Sequence, residues 1–159
     1  MMSMTNRDDL KAAFIYFAEV FDVPKQYRSK FENLLWKNLN DKRKALKEAE
    51  VLFPYNWESE FAKQTLIDRQ EKFPYLKEQL ELIVFKILRL ANVNRQFRNA
   101  ERVAYTMPYL KIERGPQSVD CPVHSKHHGK IIPLKDDFWS DYPVAKHVDC
   151  YCQIRSISN

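Results

Sequence analysis

Apolar positions recur at helical spacing from near the start of the chain to about residue 106, and beyond Pro108 they change to short β-like runs. Leu10, Phe14, Phe17 and Phe21, at steps of four, three and four, fall on one face of a helix predicted over 8–22. Pro24 closes that helix and can open the next, whose stripe is Tyr27, Phe31, Leu34 and Leu35. A basic stretch from Lys37 to Lys47 leads to Phe53-Pro54-Tyr55, after which Asn56 is placed to cap a helix carrying Trp57, Phe61, Leu66 and Ile67. A second Phe-Pro-Tyr, at 73–75, marks a further helix start.

From Leu76 to Ala91 the apolar residues cover most of the circumference. Leu80, Ile83, Val84, Ile87 and Leu88 lie on one side, with Leu82, Phe85 and Leu90 elsewhere, which predicts a central, buried helix. Burial of these side chains, at about 25 cal/mol per Å², is what holds the helical part together. Asn92 to Thr106 continues as a more polar helix that Pro108 ends. Tyr109–Ile112 and Lys130–Ile132 then read as short strands, with turns at Gly115-Pro116 and His128-Gly129.

Every cysteine and histidine of the chain lies in this last part, as Cys121, His124, His127, His128, His147, Cys150 and Cys152. The spacing is Cys-x2-His, a gap of about twenty residues, then His-x2-Cys-x-Cys: two short chelating groups separated by a loop. Zn²⁺ takes four nitrogen or sulfur donors at tetrahedral corners, and donors a few residues apart in a tight turn reach it without strain. Cys121 with His124 supplies one half of such a site, and Cys150 with either His147 or Cys152 the other. A segment this small cannot bury enough apolar area to be stable alone, and structural zinc, worth on the order of ten kcal/mol, supplies what is missing. An odd number of cysteines and the lack of a leader segment argue against a disulfide framework. The fold class expected is therefore mainly α, a helical bundle over 1–107 followed by a small zinc-stabilised α+β or irregular module over 108–159.

The order of residues in the tail carries a resemblance. It reads Pro108-Tyr109-Leu110, Asp120-Cys121-Pro122-Val123-His124, Gly129-Lys130, Pro133, Asp136-Asp137-Phe138-Trp139, Tyr142-Pro143 and His147-x2-Cys150-x-Cys152. In this order, roughly residues 105–155 resemble the C-terminal module of phage Mu F-like head-morphogenesis proteins, minor capsid components of tailed phages and prophages. Here His124 stands for the family's second knuckle cysteine, Tyr151 for its usual arginine, and Tyr142-Pro143 for its Pro-Pro pair. The resemblance implies that Cys121, His124, Cys150 and Cys152, with His147 close by, occupy the presumed metal positions. It also implies a structural role in the virion, in the capsid interior or at the portal vertex, with the portal or major capsid protein as partner.

Charge adds an anionic neighbour. The net charge is +5 and the pI near 9.0. Arg95, Arg98 and Arg102 recur at helical steps, and Lys42, Arg43, Lys44 and Lys47 form a second patch. Glu48, Glu50 and Glu101 interrupt both patches, so weak, sequence-independent DNA contact that falls steeply with salt is expected. Phe138 and Trp139 either pin the loop over the metal knuckle or stand exposed as a partner-binding anchor. No apolar run approaches the roughly twenty residues of a membrane span, so a soluble chain made in the host cytoplasm, with no membrane partner, is expected. A homo-oligomer fits the apolar 76–91 helix as well as a monomer does, because a helix buried in a ring and one buried in a single chain share a pattern.

Four protein donors leave a metal no place for water, so the expected role is not enzymatic. The rival reading from another class is a zinc- or magnesium-dependent nuclease, with His127 or His128 activating water and Asp136 or Asp137 holding a metal. A third is a helical adaptor that binds a protein through residues 76–91.

Overall fold

The computed structural model describes residues 4–69, 75–116 and 120–158. The chain runs α1 (Arg7–Val20), α2 (Lys25–Lys37), α3 (Lys42–Leu52), α4 (Glu60–Asp68), α5 (Leu76–Arg102), β1 (Tyr109–Glu113), a 3-10 turn (Ser125–His127), β2 (Ile131–Pro133), α6 (Phe138–Asp141) and β3 (Gln153–Ile157). It is mainly helical, with a small antiparallel sheet near the end.

Two compact units divide it, one over Arg7–Ala91 and the other over Met1–Asn6 with Asn92–Asn159. The pattern break at Pro108 and the packing division inside α5 are different boundaries. The first marks where helical spacing stops, the second where side chains change partners. Past residue 91, Val93, Asn99 and Ala100 are buried, and the Phe97 ring meets Trp139 edge-on at 5.6 Å.

In the helical unit the predicted stripes form the core. Leu10, Phe14, Phe17 and Phe21 are all buried, and Phe14 meets Phe31 of α2 edge-on at 5.6 Å. With no glycine available, α1 ends on Asp22 at φ 53°, and the Val23 N–H returns to the Ala18 carbonyl at 2.9 Å. Pro24 opens α2 as expected from its preset φ. On α5, Leu80, Ile83, Val84 and Ile87 are fully buried, together with Leu82, Leu88 and Leu90. Lys86 is wholly buried among them, its ammonium 5.8 Å from the centre of the Phe17 ring.

Two expectations are corrected here. The stretch read only as basic, 37–47, contributes most of α3, whose N-terminus is capped by the Asp41 carboxylate accepting from the Lys44 N–H at 3.1 Å. Its buried face is made of Ala45 and Ala49, residues too small to produce a conspicuous stripe. The cap of α4 is Ser59, not Asn56. Ser59 Oγ accepts from the Ala62 N–H at 3.3 Å and donates to the Phe21 carbonyl at 2.7 Å, and its own N–H donates to Gln79 Oε1 at 2.9 Å. Trp57 therefore precedes the helix and stacks on Phe53, with ring centres 4.8 Å apart. Of the side chains expected on this helix, Leu66 is buried while Phe61 and Ile67 are exposed. Phe73 and Pro74 lie outside the described residues.

The sheet of the second unit has the order β2-β1-β3, both pairings antiparallel. Leu110 pairs with Ile132 and Ser156, Ile112 with Ile154, and Lys111 with Ile131 and Arg155. Leu110 and Ile112 are buried on one face, while Lys111 and Arg155 lie on the other. Neither β3 nor the four-residue α6 was expected from the sequence. Among the described residues, no helix is long and apolar enough to cross a membrane.

Candidate metal centre

Two turns and the start of β3 assemble the site. The Ser125 N–H donates to the Cys121 carbonyl at 3.1 Å, closing a turn that sets the side chains of Cys121 and His124 side by side. In the second half, the Cys150 N–H donates to the His147 carbonyl at 2.9 Å. Ala145, held at φ 68° and fully buried, directs its N–H at Cys150 Sγ over 3.2 Å. Cys152 immediately precedes β3, so the β1–β3 register places it. Gly115, just beyond β1, lets that strand pass against the Tyr151 carbonyl.

The donors of Cys121, His124, Cys150 and Cys152 lie within 4.8 Å of one another, and all four residues are buried. His124 Nδ1 is 3.4 Å from Cys150 Sγ and 3.5 Å from Cys121 Sγ. Tetrahedral zinc, with Zn–S about 2.3 Å and Zn–N about 2.0–2.1 Å, sets the S···N edge at roughly 3.6 Å. The spacing fits. His124 Nε2 lies 2.8 Å from the Tyr142 carbonyl, which can only accept, so Nε2 carries a proton and, in the neutral ring, Nδ1 presents its lone pair to the sulfurs.

The thiols and His124 shift one another's proton affinity. A hydrogen bond from Cys152 holds the Cys150 thiol well below its ordinary value, and bonds from His124 and the Ala145 N–H act in the same direction. The same shared bond, with burial and the neighbouring Cys150 charge, pushes Cys152 up. Burial pushes Cys121 up. For His124, burial acts to lower the value, but hydrogen bonds to Cys150 and the Tyr142 carbonyl outweigh it and raise it. A cation ligated here would replace these shared protons. The residues present form a buried Cys3His group that could hold a metal ion.

No known protein family, curated protein or solved structure matches the chain.

Of the five donors expected from sequence, the structure gathers four and leaves His147 outside. His147 is exposed, and its Nδ1 accepts from the Asp149 N–H at 3.0 Å. Cys152 takes the place left open between them. His128 adds a contact that spacing did not indicate, its Nε2 lying 3.1 Å from Cys152 Sγ. A cavity of ≈ 280 Å³ opens beside these sulfurs, with Arg114, Asp120, Ser125 and His128 around it.

The other candidate residues are dispersed. His127 contacts the Lys130 ammonium at 3.0 Å and packs on Phe138, while the Asp136 carboxylate accepts from the Phe138 N–H at 2.8 Å. Neither they nor Asp137 belong to the converging donor group. Phe138 and Trp139 are half-buried within the module: Phe138 faces His124 and Tyr142, and Trp139 Nε1 donates to the Pro133 carbonyl at 2.9 Å. Arg95 is bonded to Asn92 Oδ1, Arg98 to the Met4 carbonyl, and Arg102 is exposed. Arg43 and Lys44 are exposed on α3, while Lys42 lies over the Phe85 ring at 5.3 Å.

Proposed function

We propose that the chain is a structural minor capsid protein of a tailed phage or prophage, acting in head morphogenesis near the portal, and that zinc clamps its C-terminal module into a fixed docking piece. The observation that carries this reading is the buried Cys3His cluster. Three thiolates and one imidazole are a donor set that favours zinc over harder cations. Filling all four places with protein donors leaves no position for a reacting water, which favours a structural over a catalytic ion. Bound zinc would supply folding free energy to a sheet whose strands span only three to five residues.

The head-protein assignment is supported by the ordered tail motif, in which Cys121, His124, Cys150 and Cys152 are also the residues that converge. The portal or major capsid protein is the proposed partner, with weak DNA contact through Arg95, Arg98 and Arg102 in one unit and Lys42, Arg43 and Lys44 in the other. Peptide mass spectrometry of purified particles tests the location. The chain is expected in wild-type heads and depleted from heads made with Cys150→Ser. Particles that lack the wild-type chain would overturn the assignment, as would cleavage of plasmid DNA that is lost on His128→Ala.

A further inference from the structure

We propose that the outer edge of β3, with the last turns of α5 beside it, takes an extended acidic segment of a partner protein as an added strand. β3 is an edge strand, paired to β1 on one side, and among the described residues no backbone bond is made on its other side. Such an edge is a template for another chain. The opposite edge, β2, is a poorer one, since it has three residues and ends in Pro133.

Next to β3 lies a cavity of ≈ 290 Å³, walled by Arg95, Gln96 and Asn99 of α5 and floored by Leu110 and Ile154. The Gln96 side-chain oxygen is buried with no hydrogen-bond partner. An unmet buried acceptor is costly, and because Gln96 also lines the cavity, rotation of its side chain would bring the oxygen to a donor of an incoming chain. The edge and the cavity adjoin, since Ile154, Arg155 and Ser156 of β3 line the cavity together with Gln96.

Charge selects the occupant. Arg155 of β3, which also borders the cavity, is in register with Lys111 of β1, and both reach Glu113, at 2.9 and 3.6 Å. Arg95 adds a further cation on the cavity side. In strand addition the backbone supplies affinity and alternate side chains supply selectivity. An added strand would set apolar side chains toward Leu110 and Ile154 and carboxylates toward Arg155 and Lys111. The preferred ligand alternates acidic with apolar, β-branched residues. This inference is independent of which metal the cluster holds.

The test is selection of a displayed library of random dodecapeptides on the full chain, with its metal content measured alongside. Peptides alternating carboxylates with valine or isoleucine are expected to be enriched. A labelled synthetic copy should protect amides of residues 153–157 from hydrogen exchange. Arg155→Glu and Gln96→Leu should each weaken it by about tenfold or more, and Lys30→Glu, at an exposed position of α2, should leave it unchanged. N-methylation of alternate peptide amides should abolish binding. No enrichment, enrichment of basic or helix-patterned peptides, equal binding by the N-methylated peptide, or displacement by an oligothymidylate at low concentration would each overturn the proposal.

Discussion

Gly115 makes the second half of the candidate metal site dependent on a missing side chain. A Cβ there would lie 1.7 Å from the Tyr151 carbonyl oxygen and 2.7 Å from its carbon, and this backbone sits between Cys150 and Cys152. Gly115→Ala is expected to weaken metal binding by about tenfold or more (~1.4 kcal/mol) in competition with a chelating dye. Gly129→Ala meets open space at φ +89°, so it should cost only the left-handed strain, about 1–2 kcal/mol of stability. Equal loss of metal in both variants would contradict this. His147→Ala should retain full metal content by mass spectrometry, whereas Cys150→Ser or Cys152→Ser should lose it. The donor types and their grouping were legible because chelation demands short spacing. The choice between His147 and Cys152 was not, since both stand close to Cys150 in sequence. It is decided by where β3 begins and by the turn at Ala145, whose left-handed backbone no residue type announces.

At the scale of elements, Ser59 joins α4 to its surroundings through three hydrogen bonds, to Ala62, Phe21 and Gln79. Ser59→Ala should cost about 1–2 kcal/mol, a fall in Tm of roughly 4–16 °C for a unit of this size, while Asn56→Ala should change Tm little. Calorimetry distinguishes the two. α1, α2 and α5 could be read from the chain because large residues mark their buried faces. α3 could not, because alanines face inward among lysines, and the longer side chains of Val51 and Leu52 sit at its exposed or half-buried end. β3 escaped notice for a related reason: Gln153, Arg155 and Ser156 interrupt its apolar residues, and its pairing with β1 spans some forty positions of sequence.

At the scale of the whole molecule, the two units are expected to draw on different sources of stability. Residues 7–91 carry a core of large apolar side chains, whereas the unit with the three-stranded sheet also holds the buried Cys3His cluster. Chelation of the metal is expected to raise hydrogen exchange at β1 and β3 by orders of magnitude and to leave α1 and α2 protected. Acidification should act in the same way, because ligation requires thiolates and a neutral imidazole that protons compete for. Uniform loss of protection across both units would deny the division. The most direct measurement is X-ray absorption at the zinc edge of the purified chain, with elemental analysis of the same sample. One zinc per chain is expected, with three sulfurs at about 2.3 Å and one nitrogen at about 2.0–2.1 Å. A chain with no stoichiometric metal, or a shell that includes a water or carboxylate oxygen, would contradict it.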